Sequence, residues 1–175
     1  MSEQDTGEYN KDVVRRCLQD IWNAGNLDAV AALIHPNFLR HHERNPDEDV
    51  HGLEGFRKWV SQTRQALPDI KLTIEKILAE NNQVMAHLHG RATHKGELKG
   101  VMATGNEIEW TVTTIIRLAD GKIVECWAIA DTLGILQRLG QIPPIGSESP
   151  PAGFREVRDC DDYGGQQEDR PALLR

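Results

Sequence analysis

Apolar positions recur with helical spacing along the first third of the chain. Val14, Cys17, Leu18, Ile21 and Trp22 fall at i, i+3, i+4, i+7 and i+8, which predicts one stripe of an amphipathic helix closed by Gly25. Leu27, Val30, Leu33 and Ile34 predict a second, short helix that stops at Pro36, because the residue before a proline is pushed out of the helical region. Leu53, Phe56, Trp59, Val60 and Thr63 predict a third, ending at Leu67-Pro68-Asp69. The period then falls to two. Ile70, Leu72 and Ile74 alternate with polar residues, Asn81-Asn82 makes a turn, and Val84, Ala86, Leu88, Gly90 and Ala92 alternate with Met85, His87, His89, Arg91 and Thr93. A glycine-punctuated stretch (Gly96, Gly100, Gly105) leads into a strand from Glu107 to Ala119. Asp120-Gly121 turns the chain into a return strand from Lys122 to Ala130. Asp131 reads as the N-cap of a last short helix, Thr132 to Leu139, with Gly140 as its stop.

Helices first and a strand meander afterwards is an α+β order, in which the sheet buries one face under the helices. Residues 1–10 read as a flexible lead-in, 11–142 as the domain, and the proline-rich 143–175 as a largely disordered tail, since it cannot bury enough apolar surface to offset chain entropy. The whole chain has 175 residues, enough for one self-sufficient core. Its net charge of −7 gives it no electrostatic reason to bind nucleic acid or an anionic membrane. No apolar run approaches a membrane span, and the polar start of the chain does not read as a targeting segment. The three scattered cysteines, Cys17, Cys126 and Cys160, point to a reducing, cytoplasmic setting and not to a disulfide framework.

The last hairpin suggests where a ligand could sit. With a three-residue loop at Ala119-Asp120-Gly121, Thr114 would pair with Cys126 and Val112 with Ala128. Trp110, Val112, Thr114, Ile116, Val124, Cys126, Ala128 and Ala130 would then share one face, opposite Thr111, Thr113, Ile115, Arg117, Ile123, Glu125, Trp127 and Ile129. Small residues on a concave face leave room for a ligand, and Trp110 offers a stacking wall. Trp22, Trp59 and Trp127 read as core or interface.

The run Gly121-Lys122-Ile123-Val124-Glu125-Cys126-Trp127-Ala128-Ile129-Ala130-Asp131-Thr132-Leu133-Gly134 resembles the closing segment of the SnoaL-like polyketide (ester) cyclases, in the NTF2-like superfamily. Ile21 to Asp28, His35-Pro36-Asn37-Phe38 and Thr93 to Leu98 are similar to its first helix, its first strand entry and its middle hairpin. The resemblance covers about residues 11–141. It implies a cone: a curved antiparallel sheet wrapped by the N-terminal helices around one enclosed hydrophobic cavity. It also implies a small hydrophobic metabolite as ligand, a homo-oligomer (dimer or more) through the sheet, and an intramolecular aldol closure needing no metal or cofactor. The family's usual His-Trp-Asp reads Cys126-Trp127-Ala128 here, so an alanine stands where the resemblance implies the acid/base carboxylate. The polar partner on the facing strand falls at Thr114, and the Asn or Asp near the end of the first strand falls at Arg40. His41 fits a histidine common there.

An aldol closure needs a base for the proton alpha to a carbonyl and an acid for the oxyanion. The candidates for this chemistry are His42, Arg40 and His41 in the cluster 40–44, and Asp131, which as an N-cap already has a structural use. Trp110, Val112, Thr114, Cys126 and Ala128 are the candidate substrate-binding residues. Strand alternation sends Arg40 and His42 to one face and His41 to the other. His87 and His89 invite a metal reading, set aside for want of a carboxylate at ligand spacing. The expected function is a cofactor-independent cyclase or isomerase of a polycyclic or polyketide-like metabolite. The alternatives are a relative repurposed for hydroxylation or ring opening, and a non-catalytic binding or accessory protein.

Overall fold

The computed structural model describes residues 3–42 and 45–143. Glu43 and Arg44 of the polar cluster and the tail from residue 144 lie outside the described residues. Helix α1 (Glu3–Arg16) runs without a break into a π-helical stretch, Cys17–Asn23. A short turn leads to α2 (Val30–Leu33), then β1 (Ile34–His41) and β2 (Val50–His51). Helix α3 (Gly52–Ala66) precedes the long strands β3 (Lys71–Glu80), β4 (Gln83–Thr93), β5 (Glu107–Ala119) and β6 (Lys122–Ala130), and α4 (Thr132–Arg138) closes the domain.

Two boundaries differ from the pattern reading. Helix α1 already covers most of the stretch expected as a lead-in. Its Asn10 is buried and donates to the Asn81 carbonyl at 3.3 Å, which ties the helix to the β3–β4 turn. The second helix ends at Leu33, and Ile34-His35-Pro36 already belongs to β1, where the register with β6 breaks between Ile34 and Leu39, a place in a strand that tolerates a proline.

The strands form one curved, six-stranded sheet in the order β2-β1-β6-β5-β4-β3. The meander is antiparallel as expected, but β1 runs parallel to β6. That pairing sets Arg40 beside Cys126 and His41 beside Trp127. The helices cover the concave face. Their core has an aromatic centre: Trp22 meets Trp59 edge-on at 4.6 Å, and Phe56 meets Phe38 at 5.1 Å, tying the first helix, α3 and β1 together. Asn23 acts like a strand residue, donating to the Leu72 carbonyl (3.0 Å) and accepting from the Leu72 N–H (2.7 Å). Arg64 donates to the free carbonyls of Trp22 and Asn23 at the helix end, where such groups need partners.

The last hairpin corrects the expected register. Asp120 and Gly121 both have positive φ (50° and 72°) and form a two-residue turn, with Ala119 opposite Lys122. A bulge follows: Leu118 faces Ile123 but Arg117 faces Glu125, leaving Val124 as the extra residue. Thr114 therefore pairs with Ala128, and Cys126 with Ile116. Ile123, expected outside, points inward in place of Val124. Beyond the bulge the expected faces stand.

The convex face carries one cross-strand row, Leu78–Met85–Ile115–Trp127–His41, whose four apolar members are exposed. No described helix is long and apolar enough to cross a membrane.

Candidate active site

A partly open cavity of about 330 Å³ lies between the helices and the concave face. The deep wall is apolar, with Leu18, Ile116 and Ile123. Strand ends and the adjoining loops bring in most of the polar groups. Trp110, Val112, Thr114, Cys126 and Ala128 all line it, as do Arg40 and His42 from the end of β1. Trp22, Trp59, Lys99 and Thr132 line it as well. The sequence pattern reads Trp22 and Trp59 as core or interface, and it gives no signal for Lys99, which comes from a loop and not from a patterned strand.

The position of Trp110 is set by its neighbour. It pairs with Gly90, and a Cβ on that glycine would come within 2.5–2.9 Å of three indole atoms. The ring thus lies across bare backbone and presents its free side to the cavity. The Arg40 guanidinium stands 4.7 Å from the Trp59 ring centroid, a cation–π arrangement that orients a long side chain.

Backbone and loop groups fix the His42 ring. Asn45 N–H donates to Nδ1 at 3.2 Å, and Nε2 lies 3.3 Å from a Glu48 carboxylate oxygen. With Nδ1 accepting, the ring proton belongs on Nε2, where it meets the carboxylate. Asp49 anchors the same residue by accepting from His42 N–H at 2.7 Å.

His41 sits on the convex side, stacked on Trp127 (centroids 4.7 Å, planes 10° apart). Its Nε2 is 2.8 Å from Glu125, which Arg117 also grips through two nitrogens at 2.6 Å. Burial by itself would raise the Glu125 carboxyl, but the bonds from His41 and Arg117 together outweigh it and hold the group below the usual carboxylate range. Asp131 caps α4, accepting from Gly134 N–H at 2.9 Å, and is not among the lining residues.

The two described thiols are protonated. Burial drives Cys17 up to about 12, with Cys126 and Asp20 adding to it. Burial also raises Cys126, and the Thr114 bond and the Arg40 charge only partly offset this. The Thr114 hydroxyl donates to the Trp127 carbonyl (3.0 Å), so the Cys126 S–H donates to Thr114 (3.3 Å). His87 and His89 lie on the convex face, near Glu75 (3.4 Å) and Glu109 (3.9 Å). Among the described residues no group of three His, Cys, Asp or Glu is placed to hold a metal ion.

The cavity therefore offers an imidazole, the basic side chains Arg40 and Lys99 and flat indole walls, and its described lining contains no Asp or Glu. Such a site can hold a flat apolar molecule and stabilise negative charge on it.

Known proteins agree with this architecture. The sequence profile of the SnoaL-like polyketide cyclases matches residues 12–139. Over 148 residues the chain is 31% identical to DnrD, an aklanonic acid methyl ester cyclase of Streptomyces peucetius, a match covering 82% of this chain and 96% of that one. A structure from Jannaschia, provisionally classed as a SnoaL-like polyketide cyclase, has the same fold with a TM-score of 0.73 at 21% identity, covering 82% of this chain and 99% of that one. AclR of Streptomyces galilaeus, provisionally a hydroxylase, gives a TM-score of 0.69 at 27% identity over 83% of this chain and 87% of that one. The profile spans the helices, the sheet and the cavity alike, and the chain belongs to the SnoaL-like polyketide cyclase family.

Proposed function

We propose that the protein closes or isomerises a ring in a hydrophobic, polycyclic or polyketide-like metabolite, without a cofactor. His42 serves as base, and Arg40 is the cation that holds the oxyanion. The observation that supports this is the joint placement of Arg40 and His42 on a cavity wall where Ala128 occupies the position of the expected carboxylate.

The rings of the substrate lie against Trp59 and Trp110. A C–H alpha to a carbonyl loses its proton to His42 Nδ1, taking the place of the Asn45 N–H. Glu48 stabilises the imidazolium through Nε2–H. The enolate carbon attacks a second carbonyl carbon of the same molecule and the C–C bond forms. The π pair moves onto oxygen beside Arg40, and the imidazolium returns its proton to that alkoxide. Substrate and product are isomers, so the balance calls for no redox partner.

The test is turnover of an anthraquinone bearing a β-keto ester side chain. His42→Ala is expected to lower turnover about 10²- to 10⁴-fold, the usual share of a general base. Arg40→Gln should lower kcat while ring binding, read by tryptophan quenching, survives. Wild-type turnover that persists in both variants would sink the assignment.

A second reading has its own support. The alanine at position 128, where the resemblance implies a carboxylate, and the 27% identity to AclR favour a relative recruited to oxygenation of a similar substrate. Product mass separates the two: ring closure conserves it, and hydroxylation adds an oxygen atom. Return of an unchanged ligand would instead favour the accessory-protein reading.

A further inference from the structure

His42 stands one residue past the end of β1, where the sheet ladder sets no further pair. Its backbone and ring must find partners elsewhere. One short turn supplies them at three different atoms. Asn45 N–H donates to Nδ1 (3.2 Å), a Glu48 carboxylate oxygen lies 3.3 Å from Nε2, and Asp49 accepts from the backbone N–H at 2.7 Å. The turn, Pro46–Glu48, is closed by Glu48 N–H and Asp49 N–H, which donate to the Asn45 and Pro46 carbonyls at 3.0 and 3.1 Å. The three contacts on His42 are therefore tied to one another.

They differ in firmness. The Glu48 side chain is 60% exposed and that of Asp49 only 13%. An exposed ion pair contributes little, whereas a short bond accepted by a shielded carboxylate is of the stronger kind. The sheet also holds Asp49 in place. The next residue, Val50, pairs with Arg40, which sets Asp49 alongside the end of β1. The second oxygen of Asp49 is 3.8 Å from His41 Nδ1, too far for a hydrogen bond, so the bond to His42 does not depend on His41.

We infer that Asp49 is the positioning residue of the cavity imidazole. Through the His42 N–H it keeps the ring seated between Asn45 and Glu48, with the proton on Nε2 and none on Nδ1. The inference rests on His42 as the proposed base and adds the group that holds it in the competent tautomer. Asp49 is not among the lining residues and acts only through His42. A ring released from this seat could carry its proton on either nitrogen, and a shift of about 1 Å in a reacting group is costly to the rate. Because Asp49 acts by accepting a bond, an asparagine, whose amide oxygen also accepts, can stand in for it.

The experiment reads the full chain in two ways. One is turnover of the anthraquinone bearing a β-keto ester side chain. The other is the ring nitrogen signals of isotope-labelled histidine, recorded by NMR at mildly alkaline pH, where imidazoles are neutral, with His42→Ala to assign them. The wild type is expected to show His42 protonated at Nε2 alone. Asp49→Ala should lower kcat about ten- to a hundredfold, leave KM and tryptophan quenching near the parent values, and mix the two tautomers. Asp49→Ser, whose hydroxyl falls short of the N–H, serves where the alanine variant does not fold. Asp49→Asn should restore both readings. Asp47→Ala, which removes a carboxylate from the same turn, should change neither. Mixed tautomers in the wild type, a His42 signal unmoved by loss of the Asp49 carboxyl, or an equal effect of Asp47→Ala would overturn the inference. So would Asp49→Asn behaving like alanine, since charge and not the bond would then be at work. Full turnover in His42→Ala would defeat the base role, while the nitrogen signals would still judge Asp49 on their own.

Discussion

Trp110 lies across Gly90, its cross-strand partner, so closely that no other residue at position 90 leaves the indole where it is. The glycine has an ordinary negative φ, so the requirement comes from the ring and not from the backbone. Gly90→Ala should push the indole into the cavity, at a cost of about 1–3 kcal/mol typical of overpacking. Urea unfolding would measure the loss, and a changed Trp emission would report the displaced ring. Trp110→Phe in the same chain should recover part of the stability, since the smaller ring clears the added methyl.

Ala128 faces Thr114 across the sheet and shares the cavity with Arg40. In Ala128→Asp the new carboxylate would draw the guanidinium toward itself and compete for the charge that the proposed oxyanion needs. Turnover should therefore fall. A gain in turnover would mean that the usual family chemistry had merely lost its carboxyl and that His42 is not the base.

The two adjacent histidines should separate cleanly. His42→Ala removes the imidazole on the cavity wall, whereas His41→Ala removes one that stacks on Trp127 outside it. Activity should fail in the first and persist in the second. The reverse pattern would place the chemistry on the convex face.

Much of this was legible because alternation and helical spacing are strong signals where one face is buried. The stripe from Val14 to Trp22 and the buried face of β4 follow directly from their periods. The position of Ile123 was not legible, since a bulge leaves no mark in an otherwise regular run. Helical structure before Lys11 was also hidden, because its support comes from distant contacts such as Asn10 with Asn81. Lys99 reaches the rim through loop geometry, which a strand pattern cannot encode.

Glu125 gives a pH dependence. Its carboxyl is held below its ordinary range in the folded protein, so it adds stability above the unfolded carboxylate range, and that contribution is lost as the pH falls through the folded value. Thermal midpoints measured from neutral to strongly acidic pH should drop less in Glu125→Gln than in the parent. The variant should also be less stable at neutral pH, where the parent has its full bond to Arg117.

The thiols should resist alkylation. Burial pushes the Cys17 thiol up to about 12 and raises Cys126 as well, so iodoacetamide at mildly alkaline pH should leave both unmodified in the folded chain, as peptide mapping would show. Rapid labelling of Cys126 would instead mark it as a candidate nucleophile. Because the Cys17 proton is held more tightly when folded, its share of stability is complete below the unfolded thiol value and fades as pH climbs through the folded one.

The bulge at Val124 stores one spare residue in the hairpin. Removing Val124 should let the ladder close behind it, with Glu125 still opposite Arg117 and Cys126, Ala128 and Ala130 still facing inward. A loss anywhere between the turn and Glu125 can draw on the same reserve. An added residue has no such outlet. It would turn the rest of β6 over and trade the small side chains of the cavity floor for Trp127 and Ile129. The strand that shapes the ligand space is thus tolerant of shortening and intolerant of lengthening, an asymmetry in how this hairpin can vary without closing its own cavity.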